Sequence, residues 1–467
     1  MLGGFVPVPL ATALIYEPDN SAAKKLHSAW QIFDQPLVLT NEKLAAPIRN
    51  LAAQLKVENL KLATLDQLLP SISKTETDYH SAKPDEIALM LLTSGSTGVP
   101  KTVKLSHQNI LNSIAATSQM AGFTSQDISL NWLPLDHPGP LIRCVIRMVY
   151  LGCQQIHAPT AMVLQEPLQW LDWLDRDRVT TTWAPNFAFA LLNDRAEEIK
   201  KGHWNLTSLK SLLNTAEPIV PQTAIKLWEL LNPHGLSKTA MHSSWGMAET
   251  TSGVTHSEQY LSDFSTDENN SFAELGLPVP GIALRIVDEQ DQIVTEQTIG
   301  YLQVKGATVT SGYEQNLEAN QEAFTADGWF KTGDLGFLTQ GRLTITGRIK
   351  DVIIINGNNY YSHEIEGVVE EIEGVEVSYT AACGIRQPNS NTDRLGIFFH
   401  TNISEDETLL ELLKKIQQQI VRKLGINPAY LIPVEPAAIP KTSIGKIQRS
   451  QLKQGLKRVN LRQLSKE

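Results

Sequence analysis

The chain has 467 residues, 42% hydrophobic and 19% charged. This is a globular balance that excludes a largely disordered chain, a collagen-like repeat or a coiled coil. The length exceeds what one core usually fills, so two or more domains are expected. Fifty acidic against forty basic residues give a net charge of -10, which argues against a uniformly basic surface and a nucleic-acid partner.

Three cysteines, Cys144, Cys153 and Cys383, are too few and too scattered for a disulfide framework, and none sits at metal-finger spacing. A reducing, cytoplasmic setting fits them best. The longest apolar runs fall far short of the ~20 residues that span a bilayer, so no membrane is expected. Residues 1–16 are uncharged and Ala11-Thr12-Ala13 has the look of a signal-peptidase site. No Lys or Arg precedes Lys24, however, and Gly3, Gly4, Pro7 and Pro9 interrupt any helical segment there, so a secretory signal is the minority reading.

In chain order, helical and strand patterns alternate, which predicts α/β layers. Residues 87–92 read as a buried strand running into a loop of small and hydroxyl residues. A helix is expected over about 107–120, with further strands near 179–183 and 209–213. From 276 to 347 the glycines are closely spaced and the β-type runs short (283–287, 300–304 and 343–346), which predicts a smaller β-rich unit. A boundary is placed at about 347–351. Beyond it come a strand at 352–355, a turn at Asn356-Gly357-Asn358-Asn359, and a capping box at Ser404-Glu405-Asp406-Glu407. Leu409, Leu412, Leu413, Ile416, Ile420 and Leu424 then form one apolar helix face, closed by Gly425.

The loop after the first strand, Thr93-Ser94-Gly95-Ser96-Thr97-Gly98-Val99-Pro100-Lys101, carries the most information. Gly95 and Gly98 allow consecutive N–H groups to converge on an anion, and the hydroxyls and ammonium add donors, which suits a polyphosphate. It is not a Walker loop, because Gly-Lys-Ser/Thr is lacking at the required spacing. Composition alone leaves a generic surface turn equally open.

The full string, continuing to Ser106-His107-Gln108-Asn109, closely resembles the signature of the adenylate-forming superfamily. That group holds acyl- and aryl-CoA synthetases, fatty acyl-AMP ligases and the adenylation domains of peptide and polyketide synthases. Four further strings resemble the family's later motifs, in the family's order: Trp245-Gly246-Met247-Ala248-Glu249-Thr250, Lys331-Thr332-Gly333-Asp334, Gly347-Arg348-Ile349-Lys350-Asp351 and Pro440-Lys441-Thr442-Ser443-Ile444-Gly445-Lys446. The resemblance spans nearly the whole chain. It implies a large N-terminal domain of layered α/β subdomains with a β-rich subdomain (1–347), a small mobile α+β C-terminal domain (351–467), and a hinge at Lys350. Residues 2–10 resemble an internal motif of the family, so the expected N-terminal domain lacks its leading subdomain.

The implied reaction joins a carboxylate to ATP, giving acyl-AMP and pyrophosphate, after which a thiol captures the acyl group. By resemblance, Lys446 is the catalytic cation, although eight Lys or Arg and no acid between 441 and 466 would equally make a basic surface face. Glu249 resembles the magnesium carboxylate, an oxygen ligand suited to a hard cation. Thr93, Ser94, Gly95, Ser96, Thr97, Gly98 and Lys101 are implied in phosphate binding. Ala216, Glu217, Trp245, Gly246 and Thr250 are implied around the nucleotide, Asp334 on the ribose hydroxyls, and Arg348 beside them. The bland alternatives are an exposed helix-start glutamate at Glu249, a core tryptophan at Trp245 and a structural cap at Asp334.

Trp132-Leu133-Pro134-Leu135-Asp136-His137 aligns with the region that gates the acyl pocket. Amino-acid-activating relatives place an amine-binding Asp where His137 stands here. Asp136 lies one residue early and, on a strand, points to the opposite face; a one-residue change of register would make it the amine ligand. A small carboxylic acid without a free α-amine is therefore expected: fatty, aryl, phenylpropanoid or hydroxy. Asn186 is a candidate for a substrate hydroxyl or a structural turn. The chain lacks the long insertion of the fatty acyl-AMP ligases, which suits an acyl-loading domain whose acceptor is a carrier-protein phosphopantetheine. Free CoA as acceptor, amino-acid adenylation, and a degenerate adenylate-binding scaffold are the alternatives.

Overall fold

The computed structural model describes residues 3–12, 16–18, 21–68, 79–93, 101–257, 272–355, 358–386, 393–442, 445–449 and 451–453. The centre is a five-stranded parallel sheet in the order Gln154–His157, Ile128–Asn131, Thr181–Ala184, Ser211–Asn214, Met241–Ser243. Thr181–Ala184 and Ser211–Asn214 are buried at every position, as strands covered on both faces must be. Helices Leu168–Arg176, Asn186–Asn193 and Pro221–Leu231 supply Leu171, Phe189 and Leu227 to the same core as Leu130, Trp183 and Leu212.

Ile87–Thr93 pairs antiparallel with Lys101–Ser106. Helix His107–Ala121 follows, started by a reciprocal cap between Ser106 and Asn109 and closed by Gly122. A four-stranded antiparallel meander, Ile282–Val287, Gly300–Gly306, Phe330–Thr339 and Arg342–Arg348, sets Asp334 directly opposite Arg348. Near the amino end, Val38–Thr40 and Leu62–Thr64 pair in parallel, with Ala23, Ile48 and Leu51 in a small core of their own.

From Val352 onward a separate core forms around Ile353, Ile365, Ile397, Phe399 and Ile416. Strand Val352–Ile355 pairs with Asn358–Tyr361, so Asn358 and Asn359 are strand residues, whereas 356–357 of the expected turn lie outside the described residues. Thr380–Ile385 runs antiparallel to Arg394–Phe399, which is parallel to Tyr430–Pro433. Helices Ser362–Glu370 and Asp406–Leu424 pack on these strands. The layered α/β units, the β-rich unit and the α+β unit expected from the sequence are all present.

Two local expectations are corrected. Helix Asp406–Leu424 has Glu405 as its N-cap with no side-chain cap bond, so Ser404 builds no capping box. Asp406 and Glu407 in the first turn complement the helix dipole instead. Asp136 lies in a turn ahead of a π-helix, Gly139–Ile146, and not on a strand. Among the described residues no helix is long and apolar enough to cross a membrane.

Candidate active site

Two cavities of about 540 and 120 Å³ share a wall formed by Ala216, Gly246, Arg348 and Lys446. The larger is lined by Thr93, Lys101, Asp136, His137, Glu249 and Lys350, among others. The smaller is lined by Glu217, Trp245, Asp334, Tyr361, His363 and Arg449. Residues of the C-terminal unit thus close both spaces, and the sequence-expected residues gather from segments far apart in the chain.

Asp334 is the best-defined group. Its carboxylate is buried and accepts from Trp245 Nε1 at 2.9 Å and Arg348 Nε at 2.8 Å. The cross-strand register Asp334–Arg348 explains the second contact. Two carboxylate oxygens offer about four acceptor sites, so two remain for a ligand's hydroxyls.

Glu249 is buried in the short turn Ala248–Thr250 and accepts from the Tyr313 hydroxyl at 3.0 Å. Burial pushes its carboxyl up, while the Tyr313 hydrogen bond and the Arg348 charge pull it down. Lys101, the first residue of its strand, holds its ammonium 4.9 Å from the Tyr313 ring centre. Tyr313 escaped the sequence reading because its contact with Glu249 spans 64 residues and nothing beside it but the turn-prone Ser311-Gly312 marks it.

Lys446 sits after Gly445, whose φ of 81° favours glycine. A Cβ there would lie 2.7 Å from the Phe187 ring, so glycine allows the lysine segment to rest on the helix of the large unit. The Arg348 guanidinium beside Lys446, together with burial, lowers its ammonium to about 7. His137 is lowered to about 4 by burial and the Lys446 charge, so its imidazole is neutral near pH 7. Its Nδ1 accepts from the Gly139 N–H at 3.2 Å, which leaves Nε2–H as the free donor.

Ala216 carries a positive φ of 79° between the two cavities, a strain characteristic of functional turns. Glu217 accepts from the Phe187 N–H at 2.5 Å, and burial raises it to about 7. Gly246 pairs closely with Gly253, and a Cβ on Gly246 would lie 2.0 Å from the Ser252 carbonyl oxygen.

Two residues sit away from the cavities. The Thr250 hydroxyl is spent inside its own turn, donating toward the Met247 and Ser252 carbonyls at 3.0 and 2.8 Å. Asn186 is buried, and its carboxamide oxygen accepts from Asn214 Nδ2 and the Val220 N–H at 3.1 and 3.3 Å. It locks a helix start to the neighbouring strand, which corrects the expectation of a substrate contact. Ser94, Gly95, Ser96, Thr97 and Gly98 lie outside the described residues.

The family model of the AMP-binding enzymes matches residues 11–314, well over half of the chain. The chain belongs to the AMP-binding enzyme family. It is an adenylation domain of the adenylate-forming superfamily, and its fold superposes on such domains. A solved structure described as McyG A-PCP complexed with phenylalanyl-adenylate is 44% identical, with a TM-score of 0.92, over 99% of this chain and 72% of that one. A multidomain structure of a keto acid-selecting NRPS module, containing adenylation and ketoreductase parts, is 42% identical with a TM-score of 0.91, over 99% of this chain and 40% of that one. Nonribosomal peptide synthetase apvA of Aspergillus terreus is 34% identical over 90% of this chain and 46% of its own length. The chain spans about half the length of the curated relatives it matches.

Proposed function

We propose that this adenylation domain activates a small carboxylic acid without a free α-amine, of the aryl or α-keto type, and passes it to the phosphopantetheine thiol of a carrier protein. The observation that carries the reading is Lys446, brought by the C-terminal unit to the wall shared by both cavities beside Arg348.

The carboxylate oxygen attacks the α-phosphorus of ATP and pyrophosphate leaves. Both partners are anionic, so the residues must neutralise charge where they meet. Lys446 and Arg348 are the cations at that point, and Lys101 and Thr93, which line the larger cavity, face the departing phosphates. Trp245 presents its ring to adenine, and Asp334 accepts the ribose hydroxyls at its remaining lone pairs. Among the described residues no cluster of three acidic, His or Cys groups forms a cation cage. Glu249 alone suits Mg2+, which commonly takes one or two carboxylates and otherwise phosphate oxygens. When bound, that ion offsets phosphate charge.

Neutral His137 offers an N–H donor to the acyl pocket. A carbonyl or hydroxyl oxygen accepts from such a donor, whereas an ammonium does not. The keto acid-selecting module among the similar structures supports this class. Amino-acid activation is the second reading, because Asp136 lines the same cavity and a similar structure holds phenylalanyl-adenylate.

A pyrophosphate-exchange panel of keto, aryl, hydroxy, fatty and amino acids decides between them. Exchange with keto or aryl acids and none with their amino counterparts is expected; the reverse preference overturns the substrate reading. Lys446→Ala should abolish exchange while calorimetry still detects ATP binding. Acyl transfer to holo carrier protein but not to free CoA identifies the acceptor.

A further inference from the structure

Behind the Trp183 wall of the large cavity lies a third, small space of about 20 Å³, lined by Ser129, Arg143, Cys144, Arg147, Thr182 and His256, among others. A space of that size holds one water-sized particle. Arg143 and Arg147 are 93% and 95% buried, from exposures of 7% and 5%. They stand four residues apart where the π-helix Gly139–Ile146 passes into helix Arg147–Leu151. Like charges at that spacing repel, and a buried charge without a counter-charge is costly.

The Asp127 carboxylate acts on Arg147 from outside the space and is already bound to Thr124, Thr180 and Lys210. No Asp or Glu lines the space. Arg143 donates only to hydroxyls, Nε to Ser252 and Nη2 to Ser244, both at 3.0 Å. Arg147 packs its guanidinium 4.3 Å from the Phe123 ring centre, and its Nε is buried with no hydrogen-bond partner. The Cys144 sulfur already accepts from Trp183 Nε1 at 3.1 Å, and burial raises its thiol, so it supplies no negative charge. Burial lowers His256 to about 3, which keeps that ring neutral as well. Two cations, one with an N–H that lacks an acceptor, and several hydroxyl groups therefore line a space that holds one small particle.

We propose that this space is a binding site for one small monovalent inorganic anion of the halide class, held between the Arg143 and Arg147 guanidiniums. The anion cancels the repulsion within the π-helical segment and gives the Arg147 N–H its acceptor. Since Arg143 and Trp183 also line the large cavity, the anion braces the wall that carries His137 and Gly139.

The test uses the whole chain and bromide as probe. Crystals grown in sodium bromide should give an anomalous peak between the two guanidiniums. Melting in chloride or bromide should exceed that in gluconate at equal ionic strength by roughly 2–4 °C. Arg147→Met, which keeps an unbranched apolar stem without the charge, should bring the halide and gluconate melts together. Should that variant fail to fold, the bromide map and the wild-type melts decide alone. A water without anomalous signal at the position, coincident wild-type melts, or a halide response retained in Arg147→Met overturns the proposal.

Discussion

Lys446 shows how placement sets a residue's chemistry. As one of eight Lys or Arg near the carboxyl end it would carry an ordinary surface charge. Beside Arg348 and out of water it is lowered to about 7. The negative charge of ATP reverses that balance, because an opposite charge favours the protonated form. At pH 8 the free enzyme holds Lys446 mostly neutral, so ATP binding should take up about 0.5–1 proton, falling toward zero at pH 6. Calorimetry in buffers of different ionisation enthalpy measures this uptake. Lys446→Met should remove it; unchanged uptake would move the titration to Glu217, which is raised to about 7. The motif names the lysine, but its lowered affinity for a proton comes from Arg348, 98 positions earlier in the chain, and no local pattern contains that.

At the element scale, the C-terminal unit hangs on one buried acid. Glu366 of helix Ser362–Glu370 accepts from the Ala382 N–H at 2.8 Å and pairs with Arg449 Nε at 2.8 Å. Arg449 also approaches Asp351 at 3.5 Å. The Glu366–Arg449 pair therefore ties the helix, the strand Thr380–Ile385 and the lysine segment together. Arg449→Ala leaves Glu366 buried and unpaired and should destabilise the unit by about 3–5 kcal/mol. Denaturant unfolding measures the loss, and adding Glu366→Gln should recover part of it. Helices and strands here were legible wherever the apolar period was long, as in 406–424 and 87–92. The Ser404 capping box failed because several acids compete at that start and Glu405 takes the cap position. The Asp136 strand failed because a run of prolines and a turn look extended until the π-helix after them is seen.

For the whole molecule, the two larger cavities lie where the two units meet. Phe272 stacks edge-on against Tyr361 and His363 at 5.9 and 5.3 Å, and Gly445 rests on Phe187. Between the units lies the single short turn Ile349–Asp351. We propose Lys350 as the pivot there, since one residue can absorb a large rotation of the unit beyond it. Lys350→Pro restricts φ at that residue and should leave pyrophosphate exchange within about threefold of the parent. Carrier loading should fall at least tenfold, measured by intact mass of the carrier. Equal loss in both steps would place the pivot elsewhere.

The sequence by itself determined the family and the alternation of α/β and β-rich units, and it singled out Lys446, Glu249, Asp334 and Arg348 as candidates. These properties are carried by strings of up to about ten residues and by periodicities that need no partner. The tertiary structure alone decided which of the set meet, that Trp245 and Arg348 hold Asp334, that Tyr313 holds Glu249, and that Asn186 and Thr250 face away from the cavities. It also decided that Arg143 and Arg147 are buried together. Each of those facts depends on sheet register and on packing between segments tens of residues apart, and a side chain's charge, exposure and partners are set by that packing.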